Sequence, residues 1–265
     1  MNAKTGAAST TILAVANQKG GVAKTTSVAS LGAALAELGQ SVLLVDLDPQ
    51  ACLTFSLGID PEDLELSIHQ VITKGSDPVE VLIATDDGVD LMPATIELAR
   101  AEADLLTRTG REHVLRGVLE DLAAAGRHYD WVLLDCPPSL GVLTVAALTA
   151  ADGVVVPLQC ETLSHRGVGQ LLDTVHDVRR FTNRDLEVWG VLPTLYDGRT
   201  NHARAVLETI SETYDLDVIE PPIPKTIKFA EAPAAGRSIL ATSRSNKGAK
   251  AYREVAANLL ARQGS

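Results

Sequence analysis

Short apolar blocks and longer stretches of mixed polarity take turns along this chain. T-I-L-A-V-A (11–16), S-V-L-L-V-D (41–46), V-D-L-M-P (89–93), W-V-L-L-D (131–135), G-V-V-V-P (153–157) and V-W-G-V-L-P (188–193) have the length of strands. Most of them are solidly apolar, and strands of that kind are covered on both faces, as in a parallel sheet. Between them lie segments that read as helices: Thr25 to Leu38, stopped by Gly39; Arg111 to Ala125, followed by Gly126; Leu163 to Phe181; Thr200 to Tyr214; and Lys247 to Arg262. This alternation predicts an α/β fold, a doubly wound and mostly parallel sheet with helices on both faces. Residues 58–88 are more polar and contain Pro61, Gly75 and Pro78, which predicts surface helices and loops. No repeat or linker divides the chain. Residues 11–265 are therefore expected to form a single domain behind a disordered tail, 1–10.

Composition narrows the function classes. The chain has 265 residues, 46% of them hydrophobic and only 3% aromatic, so its core must be built from Ala, Val, Leu and Ile. A net charge of −11 argues against a surface coated with phosphate contacts and leaves room for a local basic patch. Cys52, Cys136 and Cys160 form no C-x-x-C pair. A zinc ribbon or a cysteine-ligated iron–sulfur cluster within one chain is thereby disfavoured, and a reducing, cytoplasmic compartment fits, with each thiol expected as a small core residue. The six histidines show no metal-ligand spacing. Met1 to Thr10 has no apolar signal-peptide region, and the longest uncharged run, Cys136 to Ala151, is too short and broken to span a bilayer.

The sharpest chemistry lies in N-Q-K-G-G-V-A-K-T-T, Asn17 to Thr26. It follows a strand and opens a helix, where backbone N–H groups converge on a phosphate. Gly20 and Gly21 let the backbone approach closely, and Val22, Ala23, Thr26 and their neighbours complete a candidate nucleotide loop. Lys24 suits the β and γ phosphates, and the Thr25 hydroxyl suits Mg²⁺. The standard loop has Gly just before this lysine, whereas this chain has Ala23. The extra methyl is harmless at negative φ and costs on the order of 1 kcal/mol in a strained backbone.

Three aspartates end apolar strands. Asp46 and Asp48 in V-L-L-V-D-L-D-P-Q, and Asp135 in W-V-L-L-D-C-P-P-S, are expected at the carboxyl edge of the sheet, where open α/β sheets bind ligands. With Thr25 they are the candidate magnesium-side residues. One carboxylate can hold the ion's waters while another orients an attacking water.

The segment K-G-G-V-A-K-T-T resembles the deviant Walker A motif of the ParA/MinD class. D-L-D-P-Q is similar to its Walker A′ segment and L-L-D-C-P-P to its Walker B and switch II. V-P-L-Q-C-E (156–161), L-Y-D-G-R-T-N (195–201), I-P-K-T-I-K-F-A-E-A-P (223–233) and K-G-A-K-A-Y (247–252) also resemble ParA/Soj motifs, in the same order and across most of the chain. The likeness is to the small type without an N-terminal helix-turn-helix domain.

This resemblance implies an ATPase using ATP and Mg²⁺, with Lys19 reaching across a homodimer to the partner's nucleotide and Asp48 serving hydrolysis. Lys19, Lys24 and Asp48 are thus the catalytic candidates. It implies nonspecific binding of double-stranded DNA through Arg199 and Lys228, with Lys225 and Arg204 nearby, and a ParB-type centromere-binding protein that speeds a slow hydrolysis. The expected role is DNA partitioning, at a nucleoid-associated location with no membrane partner. Residues 223–233 resemble an adenine-contacting loop, including Pro224 and Thr226, although Thr226 stands where Asn is usual. Gly141 suits a hinge after Asp135. His165 and Arg166 are assigned no chemistry. The alternatives are a MinD-like membrane-cycling ATPase, disfavoured by the short, weakly basic C-terminus; a metabolic enzyme of the same fold, whose cluster cysteines are missing; and a non-catalytic ATP-dependent scaffold, which Ala23 would permit.

Overall fold

The computed structural model describes residues 10–161 and 164–263. The expected tail lies outside them except for Thr10, whose hydroxyl donates to the Tyr129 carbonyl at 2.7 Å. The side chains of His165 and Arg166 also lie outside the description.

Seven strands form one sheet: β1 (Thr11–Val15), β2 (Val42–Asp46), β3 (Ile83–Ala84), β4 (Asp90–Met92), β5 (Trp131–Asp135), β6 (Gly153–Gln159) and β7 (Glu187–Thr194). Their order is β3-β4-β2-β5-β1-β6-β7. All neighbours are parallel except the short edge pair β3–β4. From β1 the chain passes to β2 on one side, and β6 later lies on the other. The edge of the sheet above β1 is therefore a switch point of the kind that holds ligands.

Each strand feeds two cores, because successive side chains point to opposite faces. Leu13, Val15, Val42 and Leu44 pack beneath α1 (Lys24–Glu37), α10 (Ile239–Thr242) and α11 (Lys247–Gln263). Ala14, Leu43, Val45 and Leu134 pack beneath α3 (Ile68–Lys74), α4 (Leu98–Leu106), α5 (Val114–Ala124), α6 (Val142–Ala150), α7 (Ser164–Phe181) and α8 (Asn201–Tyr214). Leu13, Leu44 and Leu133 are wholly buried, and truncating such a leucine to Ala typically costs about 2–5 kcal/mol. Two short helices, α2 (Cys52–Ser56) and α9 (Lys228–Glu231), lie in the connecting segments.

The doubly wound expectation holds, and three local ones change. Residues 58–88 are not merely surface: α3 buries Ile68, Val71 and Ile72, behind a capping box made by Ser67 and Gln70. Helix α6 has no polar face to betray it, since it is buried nearly all round. Of the thiols, Cys136 is buried, Cys160 is half-buried and Cys52 is exposed.

Candidate nucleotide site and basic surface

The loop from Ala16 to Ala23 rises from β1 and turns into α1. Its base is clamped: the Asn17 amide donates to the Pro157 carbonyl at 2.8 Å, and its oxygen accepts from the Lys19 N–H at 2.9 Å. Val22 is buried, and its carbonyl accepts from the Thr194 hydroxyl at 2.9 Å, which ties the loop to the end of β7. Behind it, Ser27 and Tyr252 share a buried hydroxyl contact of 2.9 Å that anchors α1 to α11. Gly21 has φ of +76°, a conformation that L side chains adopt at a cost, and a Cβ built on Gly20 or Gly21 meets nothing within 4 Å. The loop is thus an open backbone cradle at the first turn of a 14-residue helix.

Ala23 is left-handed, with φ 64° and ψ 35°. The strained case of the sequence argument therefore applies, and this residue carries a backbone cost on the order of 1 kcal/mol.

Lys24 is buried, and its ammonium donates to the Lys19 carbonyl at 3.2 Å. Burial lowers its pKa, opposed by the charges of Asp135, Cys136 and Asp48. Asp135, also buried, has two carboxylate oxygens without a well-formed hydrogen bond. Burial above all, with nearby Asp46, pushes its pKa up, while the Thr25 hydroxyl and Lys24 act the other way. A buried carboxylate facing a lysine and a threonine under an open phosphate cradle suits a magnesium-bound polyphosphate, so the residues present fit that ion. Among the described residues, no three His, Cys, Asp or Glu side chains converge to hold a metal unaided.

Asp46, another of the expected magnesium-side residues, is engaged within the chain. It lies directly opposite Asp135 in the β2–β5 register, but its oxygens are occupied. They accept from the Asp48 N–H at 3.1 Å, the Thr54 N–H at 2.9 Å and the Thr54 hydroxyl at 2.7 Å. Burial raises its pKa to about 6 despite those bonds. Asp46 thus shapes the turn that carries Asp48, which is partly exposed at the same edge, accepting from the Gln50 N–H at 2.9 Å.

Lys19 is engaged within its own chain. Its ammonium pairs with Glu161 of the same chain at 2.5 Å, just past the end of β6. Gly141 has φ of −80°, so backbone conformation does not demand glycine there.

The basic positions lie beyond β7, Arg199 and Lys225 in connecting segments, Arg204 on α8 and Lys228 on α9. A bridge between Tyr196 and Pro224 joins the two segments, and the Lys225 N–H donates to the Tyr196 carbonyl at 3.3 Å. Arg199 is 90% exposed and gripped by Asp197 through two hydrogen bonds of 2.8 Å, which hold the Asp197 carboxyl down at about 2. Arg204 reaches back to the Gly198 carbonyl at 3.4 Å. Lys228, the first residue of α9, pairs with Glu231 at 2.6 Å. Thr226 accepts from the Asn246 amide at 3.4 Å. Sequence reasoning missed Glu161, Asp197 and Asn246. Asp197 was within reach, two residues from Arg199 in a turn-forming D-G-R-T, whereas the other two are distant in sequence from the residues they touch.

Sheet order, loop and switch-point carboxylates define a P-loop nucleoside triphosphatase fold. The AAA domain family model matches residues 10–188. The chain is 43% identical over 252 residues to the sporulation initiation inhibitor protein Soj of Bacillus subtilis, spanning 93% of this chain and 98% of Soj. It is 39% identical over 253 residues to the chromosome partitioning protein ParA of Caulobacter vibrioides, spanning 95% and 94%. A solved structure named cobyrinic acid a,c-diamide synthase, from Mycobacterium smegmatis with bound ADP and magnesium, has a TM-score of 0.86 at 54% identity, covering 97% of this chain and 96% of that one. The chain belongs to the ParA/Soj family.

Proposed function

We propose that this protein is a DNA-partitioning ATPase in which ATP joins two copies, the joined pair grips duplex DNA without sequence preference, and hydrolysis releases it. The observation that carries the reading is the buried Asp135 carboxyl, without a well-formed hydrogen bond, set against Lys24 and Thr25 beneath the open loop. Family relatives named for chromosome partitioning, and a 54% identical structure with ADP and magnesium, support it.

In this reading each residue has a part. Lys24 is desolvated and without a carboxylate hydrogen bond, so a β–γ phosphate is a better partner for it than the Lys19 carbonyl. Thr25 and Asp135 would hold Mg²⁺, which neutralises phosphate charge when bound. The backbone of residues 20–26 cradles the phosphates, and Pro224 and Thr226, with the Asn246 amide behind Thr226, form the base-side loop. Asp48, held at the edge by the Asp46 turn, orients the attacking water. Lys19 crosses to the partner's nucleotide. Arg199, Lys225 and Lys228 supply phosphate contacts that add up when two copies align. A ParB-type partner accelerates a slow intrinsic turnover. The site lies in one domain of a cytoplasmic, nucleoid-associated protein.

The membrane-cycling alternative finds little support. Helix α11 buries Ala249, Tyr252, Val255 and Leu259 against the core, so its apolar face is already covered. No helix among the described residues is long and apolar enough to cross a membrane.

A second reading comes from the name of the Mycobacterium smegmatis structure, which implies amide formation on cobyrinic acid. Release of ammonia from glutamine by this chain would call for an activated thiolate. Desolvation instead raises all three thiols, helped by nearby aspartates at Cys52 and Cys136, and takes Cys160 to about 11.

The test is size-exclusion of wild type and Asp48→Ala with Mg²⁺-ATP, with and without random-sequence duplex. An ATP-dependent dimer that co-elutes with DNA is expected. A protein that stays monomeric in both variants overturns the reading, and turnover stimulated by cobyrinic acid and an ammonia source but not by DNA decides for the second one.

A further inference from the structure

The structure assigns Glu161 as a positioning residue for Lys19. Its carboxylate holds the lysine on its own chain, and it must let go before the lysine can serve a second copy. Glu161 then sets how readily ATP joins two copies. This rests on the reading above that Lys19 acts across a dimer.

Three observations build the case. The root of Lys19 is immobilised, since its N–H is held by Asn17, which is fixed to the Pro157 carbonyl of β6. Helix α7 closes the other side: a Cβ on Gly167 would stand 3.2 Å from the Asn17 oxygen and 3.9 Å from the Lys19 Cβ. The freedom left to Lys19 is the swing of its stem, and in this structure the stem ends on Glu161.

The strength of the contact suits a catch that opens. The two side chains are 33% and 51% exposed, so water screens the pair, and it shifts an equilibrium by about two- to fivefold. A two-fold symmetric pair of protomers breaks the contact twice. Its removal therefore shifts the association constant by the square, about four- to twenty-five-fold.

The experiment compares full-length wild type, Glu161→Gln and Glu161→Asp by sedimentation velocity, with Mg²⁺ and either ADP or a non-hydrolysable ATP analogue. Glu161→Gln is expected to lower the dimer Kd with the analogue about four- to twenty-five-fold. Its melting temperature and its monomer affinity for ADP should match wild type, and Glu161→Asp, which keeps the charge, should restore wild-type behaviour. An analogue-bound wild type that dimerises while Glu161→Gln dimerises equally or less overturns the assignment. A wild type that never dimerises fails the underlying reading instead, and the assignment with it.

Discussion

Lys24 and Asp135 lie inside the molecule, and burial works against the charge on each; Arg199 and Asp197, two strands further along the same sheet edge, stand in water and hold each other in a two-pronged contact. The buried pair is not hydrogen-bonded together. Lys24 donates to a backbone carbonyl, and both Asp135 oxygens lack a well-formed bond. The exposed cations Arg199 and Lys228 are both matched by carboxylates of their own chain. A desolvated, under-satisfied charge is kept ready for a ligand that arrives with its own charges, because little has to be displaced when it binds. A solvated, matched charge is kept quiet until a denser array of charge competes for it, which is how phosphate backbones attract proteins. Lys19, paired with Glu161 beside the loop, belongs structurally to the second kind although its expected role belongs to the first.

The widest gap between the two regions should appear on removing Asp135. Asp135→Asn should cut Mg²⁺-dependent ATP turnover by about a hundredfold or more, read as phosphate release. Its melting temperature should hold or rise, because a buried carboxyl whose charged form is disfavoured by desolvation is replaced by a neutral group of the same shape. A variant that loses turnover by unfolding would erase the contrast.

Next is Arg199→Glu, which should weaken binding to random duplex DNA by about tenfold or more at moderate salt while ATP binding persists. The slope of log affinity against log salt should fall by about 2 in magnitude for a dimer that loses one contact per protomer. Retained DNA binding would remove this surface from the argument.

A smaller effect of opposite sign is expected from Asp197→Asn. Freed of its partner, Arg199 should bind duplex about two- to fivefold more tightly, measured by fluorescence anisotropy. Unchanged affinity would mean that the intrachain pair does not restrain the arginine.

The smallest effect is Ala23→Gly. Relief of the left-handed alanine outweighs the greater freedom of glycine in the unfolded chain by about 0.5 kcal/mol. The melting temperature should rise by about 1–2 °C in a calorimetric scan. Unchanged ATP affinity and turnover would place Ala23 outside the mechanism.

The loop from Asn17 to Thr26 was legible because its chemistry is local: adjacent residues make the turn, the cradle and the first helical turn. Asp46 and Asp135 were correctly placed at the sheet edge, since each ends an apolar run, and β2 and β5 bring them side by side. Their different fates were not legible. Asp46 is held by Thr54, eight residues on, whereas Asp135 faces Thr25 and Lys24 across the fold without a well-formed bond. Helix α6 and the burial of α3 were missed because periodicity reports a boundary between core and water, and these segments meet core on most sides.

The order of residues by itself determined the alternation of strands and helices, the phosphate loop and the family. Those features arise from neighbours in the chain or from patterns repeated along it. The tertiary structure decided which charges are buried without partners and which are matched. It seated Lys19 on Glu161, set Thr226 against Asn246 and left Asp135 without a well-formed hydrogen bond. The physical reason is that desolvation and ion pairing depend on what surrounds a group in space, and for these residues most of that surrounding comes from distant parts of the chain.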